Sequence, residues 1–158
     1  MYKVLIVDDE YYIRQRLRTC IEWEDEGFTI GGLAANAEEA FSILSDHSYH
    51  LAVIDISMPK KDGLTLIQEL RENKIPLKVV ILSGYGTFEY AQKAIKYGVT
   101  EYLLKPIDED ELIKSLRKIK QELDTEHNIN QVYQNHFHTN YLLNTVQKDN
   151  YFKKIFTD

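Results

Sequence analysis

Polar residues of complementary charge follow short apolar runs at four places in the sequence. Asp8 and Asp9 follow "KVLIV", Asp55 follows "LAVI", Ser83 follows "VVIL" and Lys105 follows "EYLL". Carboxylates that crowd together raise each other's pKa, and a divalent cation relieves this repulsion. Mg²⁺ takes one or two carboxylates and keeps several waters, while a lysine can hold a phosphoryl oxygen. The set therefore predicts a magnesium site around a phosphorylated carboxylate, with Asp55 as the nucleophile.

The apolar runs themselves are typical of parallel strands covered on both faces, because they are continuous rather than alternating. We predict strands at residues 3–7, 29–34, 51–55, 78–83 and 100–105, and helices at 10–21, 37–46, 63–72, 87–97 and from about 108. Asn36 and Asp108 are placed as helix N-caps and Gly98 as a C-cap. Five such β-α units in series predict a doubly wound α/β sheet, in which the carboxyl ends of the strands form the binding edge.

The combination resembles the receiver domain of a bacterial two-component response regulator. The resemblance covers residues 1–121 and rests on motifs that stand in the right order: Asp8-Asp9, "DISMP" with Gly63, Ser83-Gly84, Tyr102 and Lys105-Pro106. It implies a flavodoxin-like (βα)5 doubly wound parallel sheet of strand order 2-1-3-4-5. Residues 122–158 would follow as a C-terminal helical extension, a linker or the start of an interdomain segment.

The resemblance also implies a role for the acidic residues. Asp55 would accept a phosphoryl group from a histidine of a sensor histidine kinase. Mg²⁺ would bind Asp9, Asp55 and the backbone carbonyl of Ser57, with Asp8 close by or acting through water. Lys105 would contact the phosphoryl group. The chain would not be an enzyme beyond magnesium-dependent self-phosphorylation and slow self-dephosphorylation.

The implied switch consists of Ser83 and Tyr102. The serine hydroxyl would turn toward the phosphoryl group, and the aromatic ring would move into the vacated space. The output face would be the fourth helix, the fifth strand and the fifth helix, through which a homodimer is expected. The family also suggests a cis peptide bond between Lys105 and Pro106.

Two residues are expected to modulate dephosphorylation. Ser57 and Tyr85 stand two positions after the phosphoacceptor and the switch hydroxyl, where the family places the residues that flank the attacking water. A short serine and a bulky tyrosine would orient water poorly, which predicts a slow switch.

The stretch "LSGYGTFEYAQKAIKYGVTEYLLKPI" is similar to receivers that precede an AraC-type DNA-binding domain in Gram-positive bacteria. No helix-turn-helix and no basic surface are evident in the sequence. We therefore expect DNA binding, and control of transcription, only through a domain missing from this chain.

Composition fits this reading. The 158 residues have a formal net charge of -6, which gives no footprint for nucleic acid or for an anionic membrane. The apolar runs are too short to span a bilayer, and the opening "MYKVLIVDDE" lacks a signal-peptide pattern. The single cysteine, Cys20, fits a reducing compartment, so a cytoplasmic location is expected.

The end of the sequence suggests a helical pairing element. A 4-3-4 spacing predicts a short coiled-coil seam that extends the dimer, made of Leu112, Leu116, Ile119 and Leu123. From Asn128 onward the chain is rich in Asn, Tyr and Phe. His136 and His138 lack further ligands at metal-site spacing.

Three other classes of protein fit the sequence less well. A magnesium-dependent phosphatase of the aspartyl-phosphate type would want a second acid at the position of Ser57. A flavin- or nucleotide-binding flavodoxin-like module would want a phosphate loop where this chain has "DDEYY". A degenerate receiver would lack the acids or the lysine, which are all present.

Overall fold

The computed structural model describes residues 1–84 and 88–147, with residues 88 and 136–147 described by their backbone alone. The strands are β1 (Tyr2–Val7), β2 (Phe28–Ala34), β3 (Leu51–Asp55), β4 (Lys78–Ser83) and β5 (Glu101–Leu104). The helices are α1 (Tyr11–Thr19), α2 (Ala37–Asp46), α3 (Gly63–Glu72), α4 (Phe88–Lys96) and α5 (Glu109–Gln147), with a 3-10 turn at Trp23–Glu26.

The five strands form one parallel sheet of order β2-β1-β3-β4-β5, which confirms the predicted flavodoxin-like topology. β3 and β4 have the predicted bounds. β5 is shorter than predicted and spans Glu101–Leu104. The pairing of β1 with β2 contains an irregularity between Val4 and Leu5, where Gly31 of β2 is the extra residue.

Local signals begin and end the helices where they were expected. The Asn36 side chain accepts a hydrogen bond from the Glu39 N–H at 2.8 Å and so caps α2. Asp108 does the same for α5, accepting from the Asp110 N–H at 2.8 Å. Gly98 follows α4 with φ +70°, a left-handed conformation that glycine adopts without a steric penalty.

The predicted coiled-coil seam is wrong. Leu112, Leu116 and Ile119 are 0% exposed, because they already lie in the core of the receiver unit. The 4-3-4 spacing is the same for a helix that packs on a sheet and for one that pairs with another helix, so spacing alone did not separate the two. These three side chains cannot also line a dimer seam.

The chain divides into two compact units, Met1–Lys120 and Gln121–Asp158. The first unit contains the whole sheet. Within the part of the chain that the structure describes, no helix combines the length and the apolar character that a membrane crossing requires.

Candidate functional site

Strand register brings two of the predicted acids together. β1 and β3 pair so that Val7 lies opposite Ile54. The next residue on each strand is an aspartate, so Asp8 and Asp55 lie side by side at the carboxyl edge of the sheet. Both are buried, at 0% and 3% exposure. Two buried carboxylates in contact require a compensating cation.

Register also brings the lysine to the same edge. Ser83 of β4 lies opposite Leu104 of β5, and Lys105 follows directly. The Lys105 backbone N–H donates to the Ser83 carbonyl at 2.7 Å, which continues the ladder by one bond. The Lys105–Pro106 peptide bond is cis, as expected. Lys105 therefore enters the site from the edge strand.

The Lys105 ammonium binds both buried acids. Its Nζ lies 3.1 Å from Asp55 Oδ1 and 3.3 Å from Asp8 Oδ2. The lysine side chain is 25% exposed, so water screens its charge only in part. One ammonium thus faces two carboxylates, and negative charge remains in excess.

The pKa shifts follow from this imbalance. Burial raises the pKa of the Asp55 carboxyl, and the negative charge of Asp8 raises it further, while Lys105 and the Ser57 N–H offset this only in part. Burial by itself lowers the pKa of Lys105, but Asp55 and Asp8 together outweigh it, so its pKa lies above the usual value. Two carboxylates outweigh the cost of burying the Lys105 ammonium, whereas one ammonium does not outweigh the burial of Asp55 and its repulsion from Asp8.

A third acid completes an oxygen-rich cluster. One carboxylate oxygen from each of Asp8, Asp9 and Asp55 lies within 4.8 Å of the others, and Asp9 is the more exposed of the three. Oxygen donors from carboxylates are the ligands that Mg²⁺ prefers, and an exposed member leaves room for its retained waters. The donor set and the excess negative charge fit a hard divalent cation. Such a cation would lower the pKa of Asp55.

Short contacts that the sequence did not indicate hold the acids in place. The Glu10 backbone N–H donates to Asp8 Oδ1 at 2.9 Å, and Arg14 Nη1 donates to the Asp8 carbonyl at 2.8 Å. The Ser57 N–H approaches Asp55 Oδ1 at 3.4 Å. Arg14 lies one turn into α1 and carries no sequence signal that would have marked it. Its guanidinium binds the backbone carbonyl of Asp8, whereas the Asp8 carboxylate binds Glu10 and Lys105.

Gly63 sets the distance between β3 and α3. Its N–H donates to the Ile56 carbonyl at 3.0 Å. A Cβ at this position would lie 2.5 Å from the Asp55 carbonyl oxygen and 3.0 Å from the Ile56 Cα. The requirement at this position is close approach of helix and strand backbones directly behind Asp55.

The remaining predicted residues lie at or near this edge. Ser83 is fully buried at the end of β4, next to β3. Tyr102 lies opposite Ile81, two pairs before Ser83 and so on the same side of the sheet, and packs partly buried against the core. Ser57 is exposed. Tyr85 lies outside the described residues.

The comparisons with known proteins agree with the geometry. Residues 4–117 match the family model of the response regulator receiver domain. The chain is 42% identical over 123 residues to the transcriptional regulatory protein YesN of Bacillus subtilis, covering 78% of this chain and 33% of that protein. It is 39% identical over 112 residues to the transcriptional regulatory protein HptR of Staphylococcus aureus, covering 71% and 44%.

A solved structure shares both fold and sequence. The REC domain of AraT, a response regulator from Geobacillus stearothermophilus, superimposes with a TM-score of 0.73 at 38% identity, covering 80% of this chain and 98% of that one. The chain spans between a third and a half of the two curated relatives. The chain therefore belongs to the family of response regulator receiver domains.

Proposed function

We propose that Asp55 is the phosphoacceptor of this receiver domain and takes its phosphoryl group from a histidine of a sensor kinase. Receiver domains as a family accept phosphoryl groups from histidine kinases and bind Mg²⁺ at an acidic pocket. The observation that carries the proposal is the buried Asp55 carboxylate, with Lys105 Nζ at 3.1 Å and two further acids beside it.

The transfer requires little rearrangement of the protein. A bond forms between an Asp55 carboxylate oxygen and phosphorus while the bond from phosphorus to the kinase histidine nitrogen breaks, and that nitrogen keeps the electron pair. Lys105 Nζ is placed to follow a phosphoryl oxygen because it already binds Asp55. Mg²⁺ held by Asp8, Asp9, Asp55 and the Ser57 carbonyl would neutralise charge on the phosphoryl oxygens.

Intact mass tests the phosphoacceptor directly. The chain is incubated with Mg²⁺ and acetyl phosphate, a small donor that replaces the kinase and tests self-phosphorylation. We expect one phosphoryl adduct on the native chain and on Asp46→Asn, an exposed acid of α2. Asp55→Asn should give no adduct. An adduct of undiminished yield on Asp55→Asn would remove Asp55 from this role.

Magnesium binding is tested separately by calorimetry without any phosphodonor. Asp9→Asn removes one oxygen charge from the cluster and should weaken Mg²⁺ binding. Lys105→Met removes the competing ammonium and should strengthen it, because the acids then lose their internal cation. Weaker binding by Lys105→Met would contradict this account of the charge balance.

The switch that we propose is the Ser83 hydroxyl with the Tyr102 ring. Burial of Ser83 at the end of β4 and the place of Tyr102 two pairs earlier support it. Ser83→Ala should accept phosphate on Asp55 yet leave the Tyr102 ring signals in a nuclear magnetic resonance spectrum unchanged on phosphorylation. Equal shifts in native chain and variant would argue against the coupling.

We also propose a slow loss of the phosphoryl group, with Ser57 and Tyr85 beside the path of the attacking water. The decay of the phosphoprotein in Mg²⁺ is followed by intact mass. Tyr85→Glu and Ser57→Asn, which introduce groups able to orient water, should shorten its lifetime. Decay of the native protein within seconds would contradict the proposal.

The output that we propose is a homodimer through α4, β5 and α5. Exposed apolar side chains support it, since Ile95 of α4 is 78% exposed and Leu104 of β5 is 49% exposed. Light scattering with and without a beryllofluoride mimic should show a rise in mass that Ile95→Glu abolishes. An unchanged monomer mass with the mimic would refute this interface.

In the cell, we propose that this domain controls transcription from the cytoplasm through a DNA-binding domain carried elsewhere in a longer protein. The names of the two curated relatives support a transcriptional role. The test compares operator binding by the longer protein, with native Asp55 and with Asp55→Asn. The 158-residue chain alone should show no sequence-specific DNA binding.

A further inference from the structure

The charge of α5 changes abruptly along its length. Residues 109–126 include ten Asp, Glu, Lys or Arg residues, whereas residues 128–147 include none. The helix nevertheless continues through Gln147. An uncharged segment of twenty residues is unusual for a helix facing water, because charged side chains normally line a solvated face.

The described part of this segment also exposes an apolar stripe. Ile129, Val132 and Tyr133 are 61%, 69% and 66% exposed, and their i, i+3, i+4 spacing places them on one face of α5. The segment is rich in Asn, Thr, His and Tyr, which are weak helix formers. Helices of such composition are stable only when packing covers their apolar face.

We propose that a second copy of this chain covers this stripe, with residues 128–147 of the two copies pairing in parallel about a two-fold axis. The charge pattern favours a second copy: the chain carries a net charge of -6, so two copies repel over most of their surface. The segment without charges is a place where identical surfaces meet without like-charge contacts, as an isologous interface requires.

This pairing differs from the phosphorylation-dependent interface proposed above and does not rest on it. It uses residues beyond Leu123, whereas the α5 leucines before that point are buried in the receiver core. Twenty helical residues span about 30 Å, or almost three heptads. Association through so short a helix is weak, so the dimer content of the unphosphorylated chain should depend on concentration.

Sedimentation velocity of the unphosphorylated 158-residue chain over a wide concentration range tests the pairing. Ile129→Glu with Val132→Glu places two charges on the stripe and should raise the dissociation constant at least about tenfold. Gln131→Glu with Gln134→Glu adds the same charge to the opposite, exposed face of α5 and should change it less than about threefold. A monomeric native chain, or equal effects of the two double variants, would overturn the proposal.

Cross-linking identifies the face in contact. In a Cys20→Ser background, Val132→Cys should form an intermolecular disulfide under mild oxidation, while Gln131→Cys should not. Circular dichroism on each variant confirms that the receiver remains folded. Dimers that cross-link equally at both positions, or at neither, would show that another surface holds the copies together.

Discussion

Gly63→Ala should destabilise the protein through a single added methyl group behind the phosphoacceptor strand. The new Cβ would lie 2.5 Å from the Asp55 carbonyl oxygen, about 0.5 Å inside the 3.0 Å that real Cβ atoms respect. This oxygen belongs to the backbone of β3, which is paired with β1 and β4, so it cannot rotate away as a side chain would. Helix α3 or the end of β3 has to move.

The magnitude follows from two opposing effects. Forcing a methyl group into packed backbone costs about 1–3 kcal/mol. Alanine in place of glycine returns up to about 1 kcal/mol of helix propensity, and less at the first helical position. We therefore expect Gly63→Ala to lower the free energy of unfolding by about 1–2 kcal/mol. A displacement of Asp55 by half an ångström should also slow phosphorylation from acetyl phosphate by roughly tenfold.

Urea denaturation measures the stability, and the initial rate of adduct formation measures the site. Gly84→Ala is the matched control for stability, since a Cβ at Gly84 has no neighbouring atom within 4 Å in the described structure. Its unfolding midpoint should equal that of the native chain. A Gly63→Ala protein as stable and as reactive as the native one would refute the steric argument.

Three further substitutions test other parts of the fold. Leu116→Ala should lower the free energy of unfolding by about 2–4 kcal/mol, because it leaves a cavity in the core. Weaker dimerisation of this variant without loss of stability would instead support the coiled-coil seam. His50 accepts the Lys3 N–H on Nδ1 at 3.0 Å, and burial, the N-terminal amine and Lys3 lower its pKa. As pH falls, His50 is therefore protonated in the unfolded state before it is protonated in the folded state. The free energy of unfolding falls as pH drops below 6.5 toward the lower pKa of the folded state. His50→Asn keeps an acceptor and cannot titrate, so its urea midpoint should fall less than the native one between pH 7 and 5; equal slopes would contradict this. Arg71 donates to two carbonyls at the C-terminal end of α4, at 3.0 and 3.2 Å. Arg71→Gln should therefore lower the free energy of unfolding by about 1 kcal/mol and speed amide hydrogen exchange at that end of the helix. Unchanged exchange would show that Arg71 does not cap α4.

The sequence was sufficient to predict that these side chains cluster at one edge, because they stand at strand ends. Continuous apolar runs located β3 and β4 to the residue, and parallel strands bring their carboxyl ends to one edge by geometry alone. The contacts of Asp8, Asp55 and Lys105 then follow from register.

Other features were outside the reach of sequence reasoning. The 4-3-4 pattern of Leu112, Leu116 and Ile119 indicates that one face of the helix is apolar, but it does not indicate which element packs on that face. The role of Arg14 depends on a backbone carbonyl six residues earlier, and backbone groups carry no residue identity. Likewise, the sequence shows Gly63 only as part of a motif, because a close approach between two backbones is a three-dimensional property.

The strand order has a mechanical consequence for the ion pair at the site. β3 has hydrogen-bonded neighbours on both sides, whereas β5 is a four-residue strand with β4 as its single neighbour in the described sheet. Asp55 is thus anchored to the part of the sheet that opens least often, and Lys105 to a part that can detach without disturbing the rest. A force applied at the site will be taken up as displacement on the lysine side. A new group on Asp55 should therefore displace β5 more readily than β1.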